Sequence, residues 1–233
     1  MTYVMSDIHG YYRQYKKLLK KINFSEADTL YMLGDVVDRG PESMRILLDM
    51  HSRTNIIPIM GNHDELALRA FISLQKYPGK SYNKKCDPSD SKLLLYWFHT
   101  YDGEKTLSDY ERLTDSEQKL VREYILTFAS HKVVTVNDKT YILTHSGLPP
   151  GATPDNLDSF ARYDYLRVEV NLNKVLPEDT ILISGHLPTF FVDEKHKGRV
   201  YRTESQIAID TGGGLGGTFC SVCLETGEEF YIK

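Results

Sequence analysis

Short apolar runs recur along the chain, and five of them stop at a polar side chain that can bind a metal or a phosphate. Such runs, rich in β-branched residues and bounded by turn residues, are typical of buried strands. The pattern predicts strands at 3–6, 29–33, 55–60, 132–136, 140–144, 180–184, 206–210, 220–224 and 229–232. Gly-rich turns separate the last three, which predicts that they form a second, antiparallel sheet.

Between these strands, apolar residues follow a helical spacing. The spacing predicts helices at 11–22, 41–51, 65–77, 92–101 and 116–131, with a long polar loop at 77–91. The order strand, helix, strand over residues 3–33 is a βαβ unit. This unit favours a parallel or mixed sheet covered by helices.

The segment at about 65–131 separates two groups of predicted strands and indicates a helical insertion. Insertions of this kind more often control substrate access than perform chemistry. We therefore expect its polar and aromatic side chains to affect specificity. The candidates are Tyr82, Trp97, His99 and Tyr101.

The chain has 233 residues, enough for one large domain or two small ones. Because the polar strand ends extend from Asp7 to His186, we predict that residues 1–233 form a single domain around one site. The net charge of −4 disfavours a non-specific nucleic-acid binder, so we expect no nucleic-acid partner. The chain has neither a long apolar run nor a basic and apolar leader, which predicts a cytoplasmic protein without a membrane partner.

The three cysteines are Cys86, Cys220 and Cys223. An odd count without a disulfide framework agrees with a reducing compartment. The spacing of Cys220 and Cys223 is also that of a redox motif, but it falls in a predicted strand, where positions three apart face opposite sides. We therefore interpret both as ordinary core or sheet cysteines.

The polar residues at the strand ends are candidates for a single site, because ligands of open α/β sheets bind beyond the carboxyl ends of the strands. These residues are Asp7, His9, Asp35, Asp38, Asn62, His63, His145 and His186. A set of nitrogen and oxygen ligands without a thiolate suits Mn, Fe or Zn better than Ca or Mg. The other histidines follow no such strand and are interpreted as surface or packing residues: His51, His99, His131 and His196.

This number of ligands exceeds what one ion uses. The predicted ligands are Asp7, His9 and Asp35 for one ion and Asn62, His145 and His186 for a second, with Asp35 bridging them. Two ions about 3.5–4 Å apart are the usual arrangement for phosphoester hydrolysis, and a bound water can have its pKa lowered to about 7. We therefore expect two divalent ions, Mn in the first place and Fe or Zn as alternatives, with a bridging hydroxide as nucleophile.

The order of the motifs resembles a known family. The motifs are Asp7-x-His9, Gly34-Asp35-x-x-Asp38-Arg39-Gly40, Gly61-Asn62-His63-Asp64, His145 and Gly185-His186. They closely resemble the PPP-type serine/threonine protein phosphatases of the calcineurin-like metallophosphoesterase superfamily, and 97–107 and 209–212 are similar to its compact bacterial members. The resemblance implies an α/β fold: a two-sheet β sandwich flanked by helices, with the binuclear metal centre at the strand ends.

The resemblance also implies roles for individual residues. His63 would be the general acid that protonates the leaving oxygen, and Asp38 would hold its imidazole and keep it charged. Arg39 would bind the phosphoryl oxygens, because a planar guanidinium suits a trigonal transition state. A second phosphate-binding arginine is expected between the last two histidines, where both Arg167 and Arg162 lie. We favour Arg167.

The sequence leaves several functions open within this frame. The main expectation is a hydrolase of the serine/threonine protein phosphatase type, acting on phosphoserine, phosphothreonine or phosphotyrosine in a phosphoprotein or phosphopeptide. The alternative is a symmetrical diadenosine tetraphosphate hydrolase, a dinucleoside polyphosphate enzyme. Asp64 resembles that group, since protein phosphatases usually have Glu there, whereas Asp38 resembles the protein phosphatases. A metal-binding module without activity is disfavoured, because it has no need of a leaving-group acid such as His63.

Overall fold

The computed structural model describes residues 1–77, 86–171 and 176–233. The strands are β1 (Thr2–Met5), β2 (Thr29–Leu33), β3 (Ile56–Ile59), β4 (His131–Val136), β5 (Lys139–Thr144), β6 (Thr180–Ser184), β7 (Tyr201–Arg202), β8 (Gln206–Ala208), β9 (Phe219–Cys223) and β10 (Glu229–Ile232). They form two five-stranded sheets, ordered β10-β9-β1-β2-β3 and β4-β5-β6-β8-β7.

Parallel pairing brings the polar strand ends to one edge of each sheet. In the first sheet β1, β2 and β3 are parallel, with Met5 opposite Met32 and Leu33 opposite Ile59. In the second sheet β5, β6 and β8 are parallel. Because the carboxyl ends of parallel strands lie side by side, the loops that follow these strands can converge on one site.

Helices cover the outer face of the first sheet. They are α1 (Tyr12–Lys21), α2 (Ser43–His51), α3 (Asn62–Leu74), α4 (Pro88–Tyr101), α5 (Glu104–Tyr110) and α6 (Asp115–Leu126), and the short α7 (Thr189–Val192) follows β6. A capping box starts α6, where the Thr114 hydroxyl accepts from the Glu117 amide and the Thr114 amide donates to the Glu117 carboxylate. Within the described residues, every helix is too short or too polar to cross a bilayer.

Apolar side chains form three layers, because successive residues of a strand face opposite sides. Val4, Leu33, Leu143, Ile183 and Val222 lie between the two sheets. Met5, Met32, Leu47, Phe71 and Trp97 lie between the first sheet and the helices, and Ile142, Leu148, Leu157, Tyr165 and Leu182 lie on the outer face of the second sheet. The predicted two-sheet sandwich with flanking helices is confirmed.

The prediction of a separate antiparallel sheet at the end of the chain was wrong. β9 pairs antiparallel with β1, placing Cys223 opposite Tyr3, and β10 continues the first sheet. β8 instead joins the second sheet, parallel to β6. The alternation of apolar residues predicts that a segment is a strand but does not choose its partner, which is decided by the sheet edge that it covers.

Several helix bounds differ from the prediction. α3 begins at Asn62 rather than at residue 65, so Asn62 and His63 occupy its first turn. α4 begins at Pro88, a residue well suited to the first helical turn, and α6 ends at Leu126. The short α5 was not predicted. Most of the predicted loop at 77–91, with Tyr82, lies outside the described residues.

The interpretation of the cysteines is confirmed for the pair in β9. Cys220 packs between the two sheets, whereas Cys223 packs on the opposite face with the helical layer. Both are buried, and all three cysteines are free thiols. The two thiols point to opposite faces of a strand, so their spacing reflects the sheet and not a redox pair.

Candidate metal centre

The loops after β1 and β2 are joined by backbone hydrogen bonds. The amides of Asp7 and His9 donate to the carbonyl oxygens of Gly34 and Asp35, at 3.1 and 2.9 Å. Asp7, His9 and Asp35 adopt positive φ angles of 50°, 46° and 51°. This left-handed conformation is uncommon for residues other than glycine, and such strain is concentrated at functional sites. Asp38, Arg39 and His186 share it.

Two histidines are oriented with one ring nitrogen toward the site. Nδ1 of His9 lies 2.9 Å from the carbonyl oxygen of Val37, and Nδ1 of His145 lies 2.9 Å from that of Leu33. A carbonyl oxygen only accepts, so Nδ1 carries the proton in both rings and Nε2 keeps its lone pair. Histidines that bind metals are commonly held in this way.

Three polar atoms lie close to Nε2 of His145. The amide oxygen of Asn62 lies 2.9 Å away, Nδ1 of His186 3.2 Å and a carboxylate oxygen of Asp35 3.4 Å. Because Nε2 carries no proton, it faces the oxygens of Asn62 and Asp35 lone pair to lone pair. A cation between these atoms would relieve the repulsion, so the donor set fits a metal ion.

Two groups of candidate ligand atoms share Asp35. One consists of His9, Asp35 and His63, and the other of Asp35, His145 and His186, with the atoms of each group within 4.8 Å of one another. Oδ1 of Asp35 faces His145, while Oδ2 lies 3.8 Å from Nε2 of both His9 and His63. This arrangement suits a carboxylate that bridges two ions.

The first group differs from the predicted ligand set, because it contains His63 where the prediction has Asp7. The carboxylate of Asp7 lies alongside, where it accepts from the amide of His186 at 3.1 and 3.3 Å. Burial raises the pKa of Asp7, and repulsion from Asp210 and Asp35 raises it further. A raised pKa disfavours the ionised carboxylate of Asp7, and a cation held by either group would favour it again.

Asp210 is a buried acid to which the sequence argument assigned no role. It lies just beyond β8, and its Oδ1 accepts from the amide of Gly212 at 2.9 Å. Burial raises the pKa of Asp210 to about 6 and that of Asp35 to about 7. A carboxylate at the end of a predicted strand was the available signal. Several buried acids in one place require a cation, which again fits metal binding.

The four histidines are held in the form that binds metals. Burial lowers the pKa of His9, His63 and His145, and it lowers the pKa of His186 to about 3. Metal ligation needs the neutral imidazole, so at neutral pH these rings require no deprotonation before an ion binds.

His63 and Asp38 form a hydrogen-bonded pair. Nδ1 of His63 lies 2.8 Å from Oδ2 of Asp38, and the amide of Asp38 donates to the hydroxyl of Thr106 at 2.8 Å. Burial raises the pKa of Asp38 and lowers that of His63. Both pKa shifts favour the neutral forms of Asp38 and His63. The positive charge that the resemblance implies for the imidazole therefore stays a prediction, whereas the hydrogen bond that orients His63 is present.

Trp97 reaches the pair from the helical insertion. Its Nε1 donates to both oxygens of Asp38, at 3.1 Å each. A Cβ on Gly103 would lie 2.4 Å from Nε1 of Trp97, so this indole position requires glycine at 103. The expectation that Trp97 controls substrate access was wrong, because the side chain is fully buried and contacts Asp38 instead.

Of the other specificity candidates, Tyr101 contacts the centre and His99 does not. The ring of Tyr101 packs edge-on against His63, with 4.5 Å between the centroids. His99 is exposed on α4, in the same turn as Tyr96. Within the described part of the insertion, the aromatic residues that reach the centre are therefore Trp97 and Tyr101.

The two candidate arginines for the second phosphate contact lie in different places. Arg167 donates to the hydroxyl of Tyr96 at 3.3 Å, and its positive charge partly offsets the effect of burial on the pKa of Asp35. Arg162 donates to the backbone of Leu126 at 3.3 Å on the surface. Arg39 lies 2.9 Å from Nε2 of His9. The fold thus brings Arg39 and Arg167 to the centre, and Arg162 is turned away from it.

The carboxylate of Asp64 holds the backbone of two loops next to the centre. Its Oδ1 accepts from the amides of Val36 and Val37 at 2.9 and 3.3 Å, and its Oδ2 accepts from that of Gly61 at 3.0 Å. A Cβ on Gly61 would lie 2.2 Å from Oδ1 of Asp35. Asp64 therefore fixes the loop that carries Asp35, through hydrogen bonds from three backbone amides.

A family model described as calcineurin-like phosphoesterase matches residues 2–211. The chain belongs to the calcineurin-like phosphoesterases. Membership confirms the predicted superfamily, its fold and a phosphoesterase hydrolase, and the family implies divalent metal ions. The clusters that share Asp35 are the part of the structure that fits such ions.

Curated relatives of this phosphoesterase carry the name symmetrical bis(5'-nucleosyl)-tetraphosphatase. The protein from Dechloromonas aromatica (strain RCB) is 27% identical, with 99% of this chain and 95% of the relative covered. The protein from Cellvibrio japonicus (strain Ueda107) is 30% identical over 71% of this chain and 53% of the relative. The protein from Proteus mirabilis (strain HI4320) is 34% identical over 41% of this chain. The matched region spans 36% of the Proteus relative's length.

Solved structures share the fold at low identity. One with a provisional diadenosine tetraphosphatase name has a TM-score of 0.64 at 17% identity, covering 99% of this chain and 92% of that chain. A protein serine/threonine phosphatase from Saccharomyces cerevisiae has a TM-score of 0.57 at 14% identity, covering 99% and 78%. These identities show a common fold and nothing about substrate.

We expect Asp35→Asn to lower the occupancy of both metal sites, because one carboxylate belongs to both ligand groups. His9→Ala should chiefly empty one site. Elemental analysis of Mn-loaded, desalted protein measures the difference, with Asp158→Asn, an exposed carboxylate, as the control. Full retention of both ions in Asp35→Asn would contradict a bridging carboxylate.

We expect Trp97→Phe to destabilise the fold by about 1–3 kcal/mol, because it removes a buried donor from Asp38. Turnover of phenyl phosphate should fall more than that of p-nitrophenyl phosphate, since a weakened Asp38 orients His63 poorly and the poorer leaving group needs the acid more. Phe98→Leu, on the same helix and adjacent to Trp97, is the control. An equal loss on both substrates would indicate a purely structural role.

Proposed function

We propose that the protein is a metal-dependent hydrolase that splits dinucleoside tetraphosphates symmetrically. The observation that carries the substrate is the shared name of its curated relatives, one of which aligns with 99% of the chain. Asp64 favoured the same alternative at the level of sequence. The protein phosphatase expectation has weaker support, because the phosphatase similarity consists of fold at 14% identity.

Symmetrical cleavage adds water across the central P–O–P link. The water oxygen bonds to one central phosphorus, the bond from that phosphorus to the bridging oxygen breaks, and two nucleoside diphosphates leave. The proposed ligands of the two ions are Asp7, His9, Asp35, Asn62, His145 and His186. Ions held there would act as Lewis acids on phosphoryl oxygens and lower the pKa of water.

Other side chains around the centre bind the phosphoryl oxygens, act on the leaving group or add charge. Arg39 and Arg167 bind the phosphoryl oxygens, since a guanidinium fits two oxygens at once. His63 has its Nε2 3.8 Å from Asp35 and its Nδ1 held by Asp38, which is the position of a general acid for a leaving oxygen that needs a proton. Asp210 adds negative charge beside Asp7 and increases the affinity of the centre for cations.

A second candidate function is phosphomonoester hydrolysis, and the His63–Asp38–Trp97 contact favours it. A phosphate that leaves as a nucleoside diphosphate has a second pKa of about 6, so it departs as an anion with little need for a proton. The oxygen of serine is a far stronger base and needs the acid. A buried, well-oriented His63 therefore has most value for esters of serine or threonine.

A substrate panel separates the two candidates. We expect the highest kcat/KM on diadenosine tetraphosphate with Mn, and ADP as the product, since the central link is the one cleaved. Phosphoserine peptide and p-nitrophenyl phosphate, each assayed with Mn, Fe, Zn and Mg, complete the panel. Formation of AMP and ATP would exclude symmetrical cleavage, and preference for the peptide would favour the second candidate.

We expect His63→Asn to lower turnover of phosphoserine peptide by about 10²–10⁴, the usual value of a general acid. The losses on p-nitrophenyl phosphate and diadenosine tetraphosphate should be far smaller, because their leaving groups are weak bases. Asp38→Asn should show a milder form of the same selectivity. Metal analysis is the control, since His63 belongs to one ligand group. Loss of metal, or equal loss on all substrates, would make His63 a ligand.

A further inference from the structure

A row of tyrosine and arginine side chains leads from the metal centre to the surface. Its inner member is Tyr101, which is 7% exposed and packs against His63 with 4.5 Å between ring centroids. The ring of Tyr96 follows, 5.6 Å from that of Tyr101. The guanidinium of Arg167 lies 5.3 Å from the centroid of Tyr101 and donates to the hydroxyl of Tyr96.

The outer end of the row is formed by Tyr163 and Arg69. Arg69 donates to the hydroxyl of Tyr163 at 3.3 Å. Burial acts to lower the pKa of Arg167, but the contacts with Tyr96 and Tyr101 raise it. Tyr163 lies in the 3₁₀ turn just before Arg167 along the chain. Tyr163 is 60% exposed and Tyr96 45%. Two exposed aromatic residues thus belong to this row, Tyr96 in contact with Arg167 and Tyr163 in contact with Arg69.

The members of the row come from separate parts of the chain. Arg69 lies on α3, Tyr96 and Tyr101 on α4, Tyr163 in the 3₁₀ turn Arg162–Tyr165, and Arg167 just after it. Within residues 1–77, 86–171 and 176–233, Arg167 forms no ion pair with a carboxylate. Its positive charge acts to lower the pKa of the carboxyl groups of Asp35 and Glu65, so an anion that binds Arg167 next to the metal centre does so beside these two acids.

These groups match the chemistry of a nucleoside diphosphate. Guanidinium groups bind phosphates, and tyrosine rings stack on nucleobases with a gain of about 1–3 kcal/mol per base. A nucleoside diphosphate carries its base beyond two phosphates and a ribose. In the row, Arg167 contacts Tyr101 next to His63, and the rings of Tyr96 and Tyr163 are exposed to solvent. A peptide main chain would need backbone hydrogen-bonding groups, whereas the row offers ring faces and guanidinium groups.

We propose that this row binds one nucleoside diphosphate half of the substrate, an assignment that rests on the proposed function. Arg167 contacts the phosphate next to the cleaved link, and Tyr96 and Tyr163 bind the base. Tyr101 supports both by packing between Arg167 and His63. The row then determines which phosphoester binds best, since a small phosphoester contacts the metal centre and does not reach the row.

Calorimetric titration of the Mn-loaded protein with ADP and with pyrophosphate tests this assignment, because the two ligands differ by the nucleoside. We expect the wild type to bind ADP more tightly than pyrophosphate. Tyr96→Ala and Tyr163→Ala should each weaken ADP binding about tenfold. Tyr163→Ala should leave pyrophosphate binding unchanged, whereas Tyr96→Ala also removes the hydroxyl that holds Arg167 and should weaken pyrophosphate binding to a smaller extent. Leu95→Ala is the matched control, because Leu95 is 54% exposed beside Tyr96 on the same helix.

The outcomes separate this proposal from the proposed function. Unchanged ADP affinity in both tyrosine variants would overturn the nucleotide site, whatever substrate the enzyme cleaves. A tyrosine-dependent preference for ADP without hydrolysis of diadenosine tetraphosphate would keep the site and overturn the function. A raised KM for phosphoserine peptide, with ADP affinity unchanged, would make the row a peptide site and also overturn the proposal.

Discussion

The carboxylate of Asp35 contacts residues that follow strands of both sheets, and the rest of the site depends on its position. It follows β2 of the first sheet, accepts the amide of His63 at 3.0 Å, and faces His145 of the second sheet at 3.4 Å. Gly61 leaves the space that it occupies. A shift of this one group would disturb both candidate ligand sets at once, because each uses one of its oxygens.

Without a bound cation, this centre lowers the stability of the folded chain, because it buries several acidic groups. Asp7, Asp35 and Asp210 are buried close to one another, and burial raises the pKa of each. Their mutual repulsion opposes folding, so a cation bound at this site would stabilise the folded chain. The positive φ angles of Asp7, His9 and Asp35 add strain that the surrounding hydrogen bonds must hold in place.

The helical insertion is part of this arrangement. Trp97 and Thr106 hold Asp38, and Tyr101 packs against His63, so the insertion positions groups at the centre from the side that faces solvent. The same segment presents Tyr96 to solvent. Relatives with one fold and one centre therefore differ in substrate through the side chains that surround the centre, because function depends on the site and not on the fold.

The sequence by itself determined the parts of this protein that follow from local pattern. Apolar runs that stop at Asp, His or Asn identified β1, β2, β3, β5 and β6 and the candidate ligands, because strand burial and strand ends leave a local signature. The motif order predicted the calcineurin-like superfamily, which the family model confirms, but it favoured the protein phosphatases within it, whereas the curated relatives are named tetraphosphatases. Asp210 ended a predicted strand as well, in the segment 209–212 that resembles compact bacterial members of the superfamily, yet that resemblance assigned it no role.

Only the tertiary structure decided what depends on contacts between distant segments. It paired β9 with β1, brought Arg167 rather than Arg162 to the centre, and placed Trp97 on Asp38, a residue 59 positions away along the chain. A periodic pattern specifies which face of an element is buried and not which partner covers it. The polar contacts of a side chain across such a distance are set by packing, which leaves no trace in the spacing of residues.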